Sequence, residues 1–534
     1  MPKNNETKYF ESSFQLPNPG LRSYFGNVAK GQSEIYDTPF AKGESTSDLL
    51  KRWSAILESI ADKWPSLYEF ENDLRNKVGP MSVMRPLKER MSDIESYYEG
   101  ISLPSEPIRQ SAVAASLSEW KSVSGLRVRN SCATLRSMKV STNSGSPYFS
   151  KRRTVIGKTM PILEVSHYDD TVWQYLRNGH ANFAACAVLG WRGQEGGHSP
   201  SDVKQRVVWM FPFAVNIEEL RVYQPMIEAA QRSSIIPSWV SMERVDEVIT
   251  KLFDSKGDND LVVCTDFTAF DQHFNSDLQE AALHQLRGIF TDDRDMRGWT
   301  SSVFGIKYMI PLAYDYGKVK FGKHGMGSGS GGTNADETLA HRALQYEAAI
   351  RKGARLNPNS QCLGDDGILT YPGITVEDVV ESYAAHGQEM NYSKQHASTQ
   401  DCIYLRRWHH KDYRMEGKCV GVYSTFRALG RLRYLERYMD PEWWGPKAVA
   451  LRQLSILENV KYHPLRVEFV DFCMKRDKYR LGIDIPDFLA NVDREASKII
   501  DHIPDFLGYT KTLQSGGRLG GMRNWWIVQY LKSK

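Results

Sequence analysis

The stretch QCLGDDGILT, residues 361–370, decides the fold. Two short apolar runs flank GDDG, the pattern of two strands joined by a tight hairpin. Asp365 and Asp366 then sit at its tip. Asp and Gly are favoured in turns facing water, so the pair reads either as a solvated turn or as ligands for a divalent cation. Upstream, LVVCTDF (261–267) reads as a buried strand ending on Asp266. An acid there points out of the sheet end, where ligands bind in α/β structures. If this strand pairs beside the hairpin, carboxylates from two remote segments converge. Bare, they would repel and raise one pKa. A divalent cation removes that conflict, and magnesium suits a few carboxylates completed by water and phosphate oxygens. Two such ions, roughly 3.5–4 Å apart, activate a hydroxyl and steady a leaving pyrophosphate. Phosphoryl chemistry is mostly positioning and charge neutralisation, and this equipment supplies both.

The residues between these acids add detail. Asp271, in DFTAFD, lies beyond the strand. It can accept a hydrogen bond from a sugar hydroxyl or cap the helix of DQHFNSDLQEAALHQL. GMGSGSGGTN (325–334) is half glycine and cannot be regular structure. A helix follows over ADETLAHRALQYEAAIRKG, capped by Thr333 or Asn334 and stopped by Gly353. Glu337 stands three residues after Asn334, the spacing of a capping box.

The chain has 534 residues, enough for two to four packed units. Hydrophobic content of 41% and charged content of 25% exclude general disorder. A net charge of +4 does not by itself identify a nucleic-acid partner, so the placement of charge matters. Residues 121–160 hold Lys121, Arg127, Arg129, Arg136, Lys139, Lys151, Arg152, Arg153 and Lys158 with no acid. Within them, TNSGSPYFSKRR (142–153) sets Tyr148 and Phe149 beside cations. A polyanion with stackable bases fits that surface; a solvated basic face is the plainer reading. Residues 403–437 are basic again. The seven cysteines have no C-x-x-C spacing and read as free thiols in a reducing compartment. MPKNNETKYFESS has no apolar core, so no signal peptide is expected, and no run of 18 apolar residues spans a membrane. There is no internal repeat. Residues 1–45 read as an irregular arm. From Ser47, a candidate cap, the pattern is helical, with Leu49, Leu50, Trp53, Ile56, Leu57 and Ile60 on one stripe. The glycine-rich LQSGGRLGGMRNWW (513–526) reads as a mobile terminus, or as a loop bringing Trp525 or Trp526 to stack on an initiating base.

DFTAFD, SGSGGT (328–333) and GDD (364–366), in this order and spacing, resemble motifs A, B and C of viral RNA-dependent RNA polymerases. NYSKQ (391–395) resembles motif D, YLRRW (404–408) motif E, KQRVVW (204–209) motif F and TNSGSP (142–147) motif G. The likeness covers residues 140–410, and its K-x-R-x-V-W and S-G-S variants resemble small double-stranded RNA viruses, above all picobirnaviruses, with partitiviruses as relatives.

The resemblance implies an α+β right hand of fingers, palm and thumb, with an antiparallel-sheet palm flanked by helices. It implies a helical N-terminal extension bridging fingers and thumb (1–110), fingers (111–255 and 281–324), palm (256–280 and 325–420) and a thumb with C-terminal tail (421–534). It implies Asp266 and Asp365 as main ligands of Mg2+, or of Mn2+ as a substitute, with Asp366 assisting. Asp271 would read the ribose 2′-hydroxyl with the Ser328 loop. Lys204 and Arg206 would grip the NTP triphosphate, and Lys394 could protonate pyrophosphate. Both readings of Lys204, Arg206 and Lys394 stay open, because each also serves as an ordinary surface charge. Ser144, Gly145, Pro147, Lys151, Arg152, Arg153, Arg406 and Arg407 would touch RNA template or product. Relatives place Asn where this chain has Glu337, so Thr333 and Asn334 are the candidates to assist Asp271. A monomer acting on RNA and NTPs, with a viral capsid protein as a further partner, in the virion interior or host cytoplasm, completes the expectation. The alternatives are a reverse transcriptase-like polymerase and a non-catalytic RNA-binding or capsid-associated protein. Leu363-Gly364 before the acids and the presence of Asp271 favour ribonucleotides over the first.

Overall fold

The computed structural model describes residues 3–14, 19–177, 182–500, 502 and 521–534. Its centre is a four-stranded antiparallel sheet in the order Gln361–Leu363, Asp366–Leu369, Val262–Thr265, His396–Ser398. Val262, Val263, Ile368 and Leu369 are fully buried, which explains why the two inner strands read as apolar runs with no polar alternation. Helices Ser276–Ile289, Thr333–Arg351 and Val376–Ala384 share one core with this sheet.

A second four-stranded sheet orders Lys204–Met210, Ala187–Gln194, Leu312–Asp315 and Lys318–Lys320. Its outer side packs on Phe10, Phe14, Leu21 and Phe25. Phe10 belongs to helix Lys3–Ser13, which Phe14 follows directly, and Leu21 and Phe25 to helix Pro19–Lys30, so the expected irregular arm is largely helical. The burial of four apolar side chains against a sheet outweighs the polar, Gly/Pro-punctuated composition that suggested otherwise. A separate core joins N-terminal residues 40–78 to residues 408–531. Buried Trp53 donates its ring N–H to Thr425 Oγ1 at 2.7 Å, and buried Glu71 accepts the Thr425 backbone N–H at 3.1 Å. Strand Ala187–Gln194 and the residues after it reach the same C-terminal unit through ion pairs. Arg192 meets Glu436 at 2.5 Å, and Glu195 meets Arg427 at 3.2 Å and Arg431 at 3.1 Å. Some of the cations in 403–437 are therefore engaged within the protein.

Several local expectations shift. Ser45, not Ser47, caps helix Thr46–Leu57, accepting the Asp48 N–H at 3.1 Å. Ile56 leaves the buried stripe and is 38% exposed. The glycine-rich 325–332 segment is irregular, as expected, and helix Thr333–Arg351 follows it. Gly332 precedes that helix without a side-chain cap, so neither Thr333 nor Asn334 fills that role. Asp271 is not a cap either: Asn275 begins Ser276–Ile289, accepting the N–H groups of Asp277 and Leu278. Residues 513–520 of the C-terminal glycine-rich stretch lie outside the described residues. Trp525 and Trp526 pack, partly buried, on the C-terminal core, and Glu458 accepts the Trp526 N–H at 3.3 Å. That placement makes the two rings anchors of helix Trp526–Lys532 rather than free stacking platforms. All seven cysteines are free, and among the described residues no helix is long and apolar enough to cross a membrane.

Candidate active site

The sheet register brings the predicted acids together. Gly367 pairs with Thr265, so one further step along each strand sets Asp366 opposite Asp266. Neighbouring strands lie about 4.8 Å apart. Leu363 pairs with Asp366, leaving Gly364 and Asp365 as a two-residue turn. Gly364 has φ +59°, a left-handed conformation that glycine adopts at no steric cost. Asp266 and Asp365 are exposed to solvent, as ligands for an arriving ion must be.

The hairpin is held from behind by one face of helix Thr333–Arg351. Thr338, His341 and Gln345 are spaced three and four apart and are buried. Thr338 Oγ1 accepts the Gly364 N–H at 2.9 Å, and His341 Nδ1 donates to the Gly364 carbonyl at 2.8 Å. Burial lowers the His341 pKa to about 4, so the ring is neutral and keeps one N–H for that carbonyl. Gln345 Nε2 donates to the carbonyls of Gln361 and Ile368. Sequence reasoning missed these three residues. Their signal was polar side chains at helical spacing within a run that had to be buried.

Two more supports come from the far side. Leu405 N–H donates to Asp366 Oδ2 at 2.9 Å. Leu405 and Arg406 form the turn between strands Asp401–Tyr404 and Arg407–His410, with φ +51° and +62°. Neither is glycine, so the turn is held in a costly conformation beside the acids. The Gln395 carboxamide bonds both backbone groups of Asp266.

The acids disturb one another. Burial, then the charge of Asp365, pushes Asp366 up to about 7. Asp365 is raised by its protein surroundings and by Asp271, while Arg206 and Arg406 pull it down. Burial drives Glu337 well above the usual carboxylate range, followed by the charge of Asp271 and a carboxyl–carboxyl hydrogen bond to it. Glu337 is therefore no capping-box partner of Asn334; it faces Asp271. Asn334 Oδ1 is taken by the Trp239 ring N–H at 2.8 Å.

The glycine loop is fastened to both neighbours. The Met326 N–H donates to the Asp271 carbonyl at 2.7 Å. Ser328 Oγ lies 3.3 Å from the Trp209 nitrogen, on the strand that carries Arg206. A Cβ on Gly329 would stand 1.6 Å from the Trp209 carbonyl oxygen, so only glycine fits there. Buried Glu219 accepts bonds from Ser330 Oγ and, at 3.1 Å, from the Gly331 N–H. Thr333 Oγ1 turns back to the Gly327 carbonyl at 3.1 Å. Lys204 and Arg206 share the exposed face of their edge strand; Arg206 is close enough to act on Asp365. Lys394 is exposed on the Tyr392–Lys394 turn.

Some predicted RNA contacts are built into the protein instead. Ser144, Gly145 and Pro147 are buried, and Ser144 accepts the Phe213 N–H. Arg152 turns inward to Asn216 Oδ1 at 2.7 Å and lies over the Phe213 ring; burial lowers its pKa to about 10. Lys151 and Arg153 remain exposed beside it. Arg407, first in its strand, is buried and pairs with Asp246 at 3.0 Å, whereas Arg406 stays exposed at the turn.

The donor set fits hard divalent cations. Hard oxygen ligands converge, and bringing them together without a counter-ion raises their pKa values. Among the described residues no three such side chains form a ready-made cage. Magnesium needs none, because water and phosphate oxygens complete its shell.

A family model, "Viral RNA-dependent RNA polymerase", matches residues 64–462. The chain belongs to this family. A potential RNA-dependent RNA polymerase of Human picobirnavirus (strain Human/Thailand/Hy005102/-) is 60% identical over 526 residues, 98% of each chain. The crystal structure of a human picobirnavirus RNA-dependent RNA polymerase superposes with a TM-score of 0.94 at 60% identity, covering 98% of this chain and 99% of that one. An insertion-loop deletion mutant of a human picobirnavirus polymerase gives 0.92 at 57% identity, with the same coverage. The polymerase is thus an α+β right hand whose central sheet is the palm, and the family uses divalent metal ions.

Proposed function

We propose that this polymerase replicates and transcribes a double-stranded RNA genome, joining NTPs on an RNA template with two Mg2+ ions, for which Mn2+ substitutes. The observation that carries the reading is the register that sets Asp266 beside the Asp365–Asp366 hairpin. Asp266 and Asp365 would hold the ions, and Asp366, fixed by the Leu405 N–H, would support them. When bound, the ions lower the pKa of the attacking 3′-hydroxyl and neutralise charge on the leaving pyrophosphate. Arg206, whose charge already reaches Asp365, and Lys204 on the same strand face would orient the triphosphate. Lys394 stands on an exposed turn from which it could pass a proton to pyrophosphate. Lys151, Arg153 and Arg406 are the exposed cations left to guide RNA backbone. A capsid protein as partner, a monomeric state, and the virion interior or host cytoplasm as the place of work belong to the same reading. Template-directed incorporation of NTPs against dNTPs by the purified chain tests it; dNTP preference would favour a reverse transcriptase instead.

Sugar choice gives a sharper expectation. Asp271 would read the 2′-hydroxyl, with Glu337 as its buried neighbour. A hydrogen bond to a charged group contributes roughly 1.5–3 kcal/mol, about a tenfold effect or more. Glu337→Ala should therefore lower the preference for NTP over dNTP by about tenfold. Glu337→Gln, which keeps an N–H donor for Asp271, should retain most of it. Single-nucleotide incorporation kinetics measure both; unchanged discrimination in the Ala variant would remove Glu337 from sugar selection.

A further inference from the structure

On the side away from the hairpin, the catalytic strand Val262–Thr265 loses its backbone partner after Cys264. Strand His396–Ser398 pairs His396 with Cys264 and ends there. Continued, that register would set Gln395 opposite Thr265 and Lys394 opposite Asp266. The chain instead peels away into the Tyr392–Lys394 turn. The Gln395 side chain takes over what a strand would have supplied. Its Oε1 accepts the Asp266 N–H at 2.8 Å, and its Nε2 donates to the Asp266 carbonyl at 2.8 Å. The same Nε2 also donates at 3.0 Å to the carbonyl of Asn391, the residue that begins the Lys394 turn. Gln395 is 8% exposed, so little water is available to replace these bonds.

One amide therefore grips both sides of the residue whose carboxylate faces the metal site and ties the Lys394 turn to it. We propose that Gln395 is a positioning residue for nucleotidyl transfer: its carboxamide aims the Asp266 carboxylate at the divalent ion and holds Lys394 in register with it. The inference rests on the polymerase reading above. Its chemistry is specific. An amide alone presents a donor and an acceptor at the spacing of a backbone N–H and C=O. A side chain of equal length without them leaves the Asp266 peptide free to rotate, and ion binding is sensitive to that direction.

The test compares Gln395→Met, similar in length but without the amide, and Gln395→Asn, too short to span both groups, with the parent protein. Mn2+ binding is measured calorimetrically on the protein without RNA, beside Asp266→Asn as a reference. In both variants the Mn2+ Kd should rise five- to twentyfold. Turnover should fall ten- to a hundredfold, while KM for NTP and Kd for RNA stay within threefold. Parent-like Mn2+ affinity in the variant that folds, with turnover falling only in step with Tm, would overturn the proposal and leave Gln395 as a strand-end filler. If the parent itself extends no RNA on any template, the polymerase reading fails; the Mn2+ titration still decides whether Gln395 aims Asp266.

Discussion

Asp365→Asn is expected to lower templated NTP incorporation on the order of a thousandfold while leaving the fold intact. An amide keeps the size of the side chain and removes the charge that an ion needs, and loss of a preorganised charge in a phosphoryl-transfer site has effects of that order. The stability arm distinguishes a catalytic loss from a folding defect. Asp366 is pushed up to about 7, first by burial and then by the Asp365 charge. Its folded pKa lies above its unfolded value, so the folded state binds the proton more tightly. In chelator, that contribution is fully present below about pH 4, and its loss, a cost to the folded state, grows as pH rises and is complete above about 7. Removing the Asp365 charge lessens this cost. The variant should therefore melt at the same or a higher temperature than the parent at pH 8 in chelator, with the gap closing toward pH 5. A lower melting temperature at pH 8 would mean that Asp365 is structural.

Lys307→Met should cause the largest loss of stability outside the acids, roughly 3–5 kcal/mol. Lys307 and Asp336 are both completely buried, and their charges meet at 3.0 Å. The ammonium also lies 3.9 Å from the centre of the Phe304 ring and donates to the Phe304 carbonyl at 2.7 Å. Asp336 accepts the hydroxyls of Tyr223 and Tyr308 at 2.7 and 2.6 Å. Removing the cation strands a buried carboxylate in the first turn of the helix whose next residues hold the hairpin. Activity should fall with stability for that reason. Replacing both partners with apolar residues should recover most of the loss, since a buried pair contributes little over a well-packed apolar substitute. Denaturant unfolding of the single and double variants measures this; an undiminished loss in the double variant would point to packing rather than stranded charge.

The sequence made the site's chemistry legible and its support much less so. The hairpin, the strand ending on Asp266 and the glycine loop each carry a local signature, a turn residue or an apolar run, that survives without knowledge of the fold. Gln395 and Glu219 carry none, and Thr338 and His341 carry only a helical spacing. Each is an ordinary polar residue until another segment supplies the backbone group it binds. The same distinction explains why two of the expected RNA contacts are engaged within the protein. Arg152 and Arg407 belong to basic runs, but which way a cation points depends on distant partners, Asn216 and Asp246. The N-terminal helices were hidden for a related reason: Phe10 and Phe25 gain from helix formation only through a sheet more than 150 residues away.

The most direct test of the whole arrangement is anomalous diffraction from crystals of the polymerase grown with RNA primer–template, an unreactive NTP analogue and Mn2+. The expected map shows manganese bound by carboxylate oxygens of both Asp266 and Asp365. Manganese bound elsewhere, with those two side chains more than a nanometre apart and turned from each other, would contradict it.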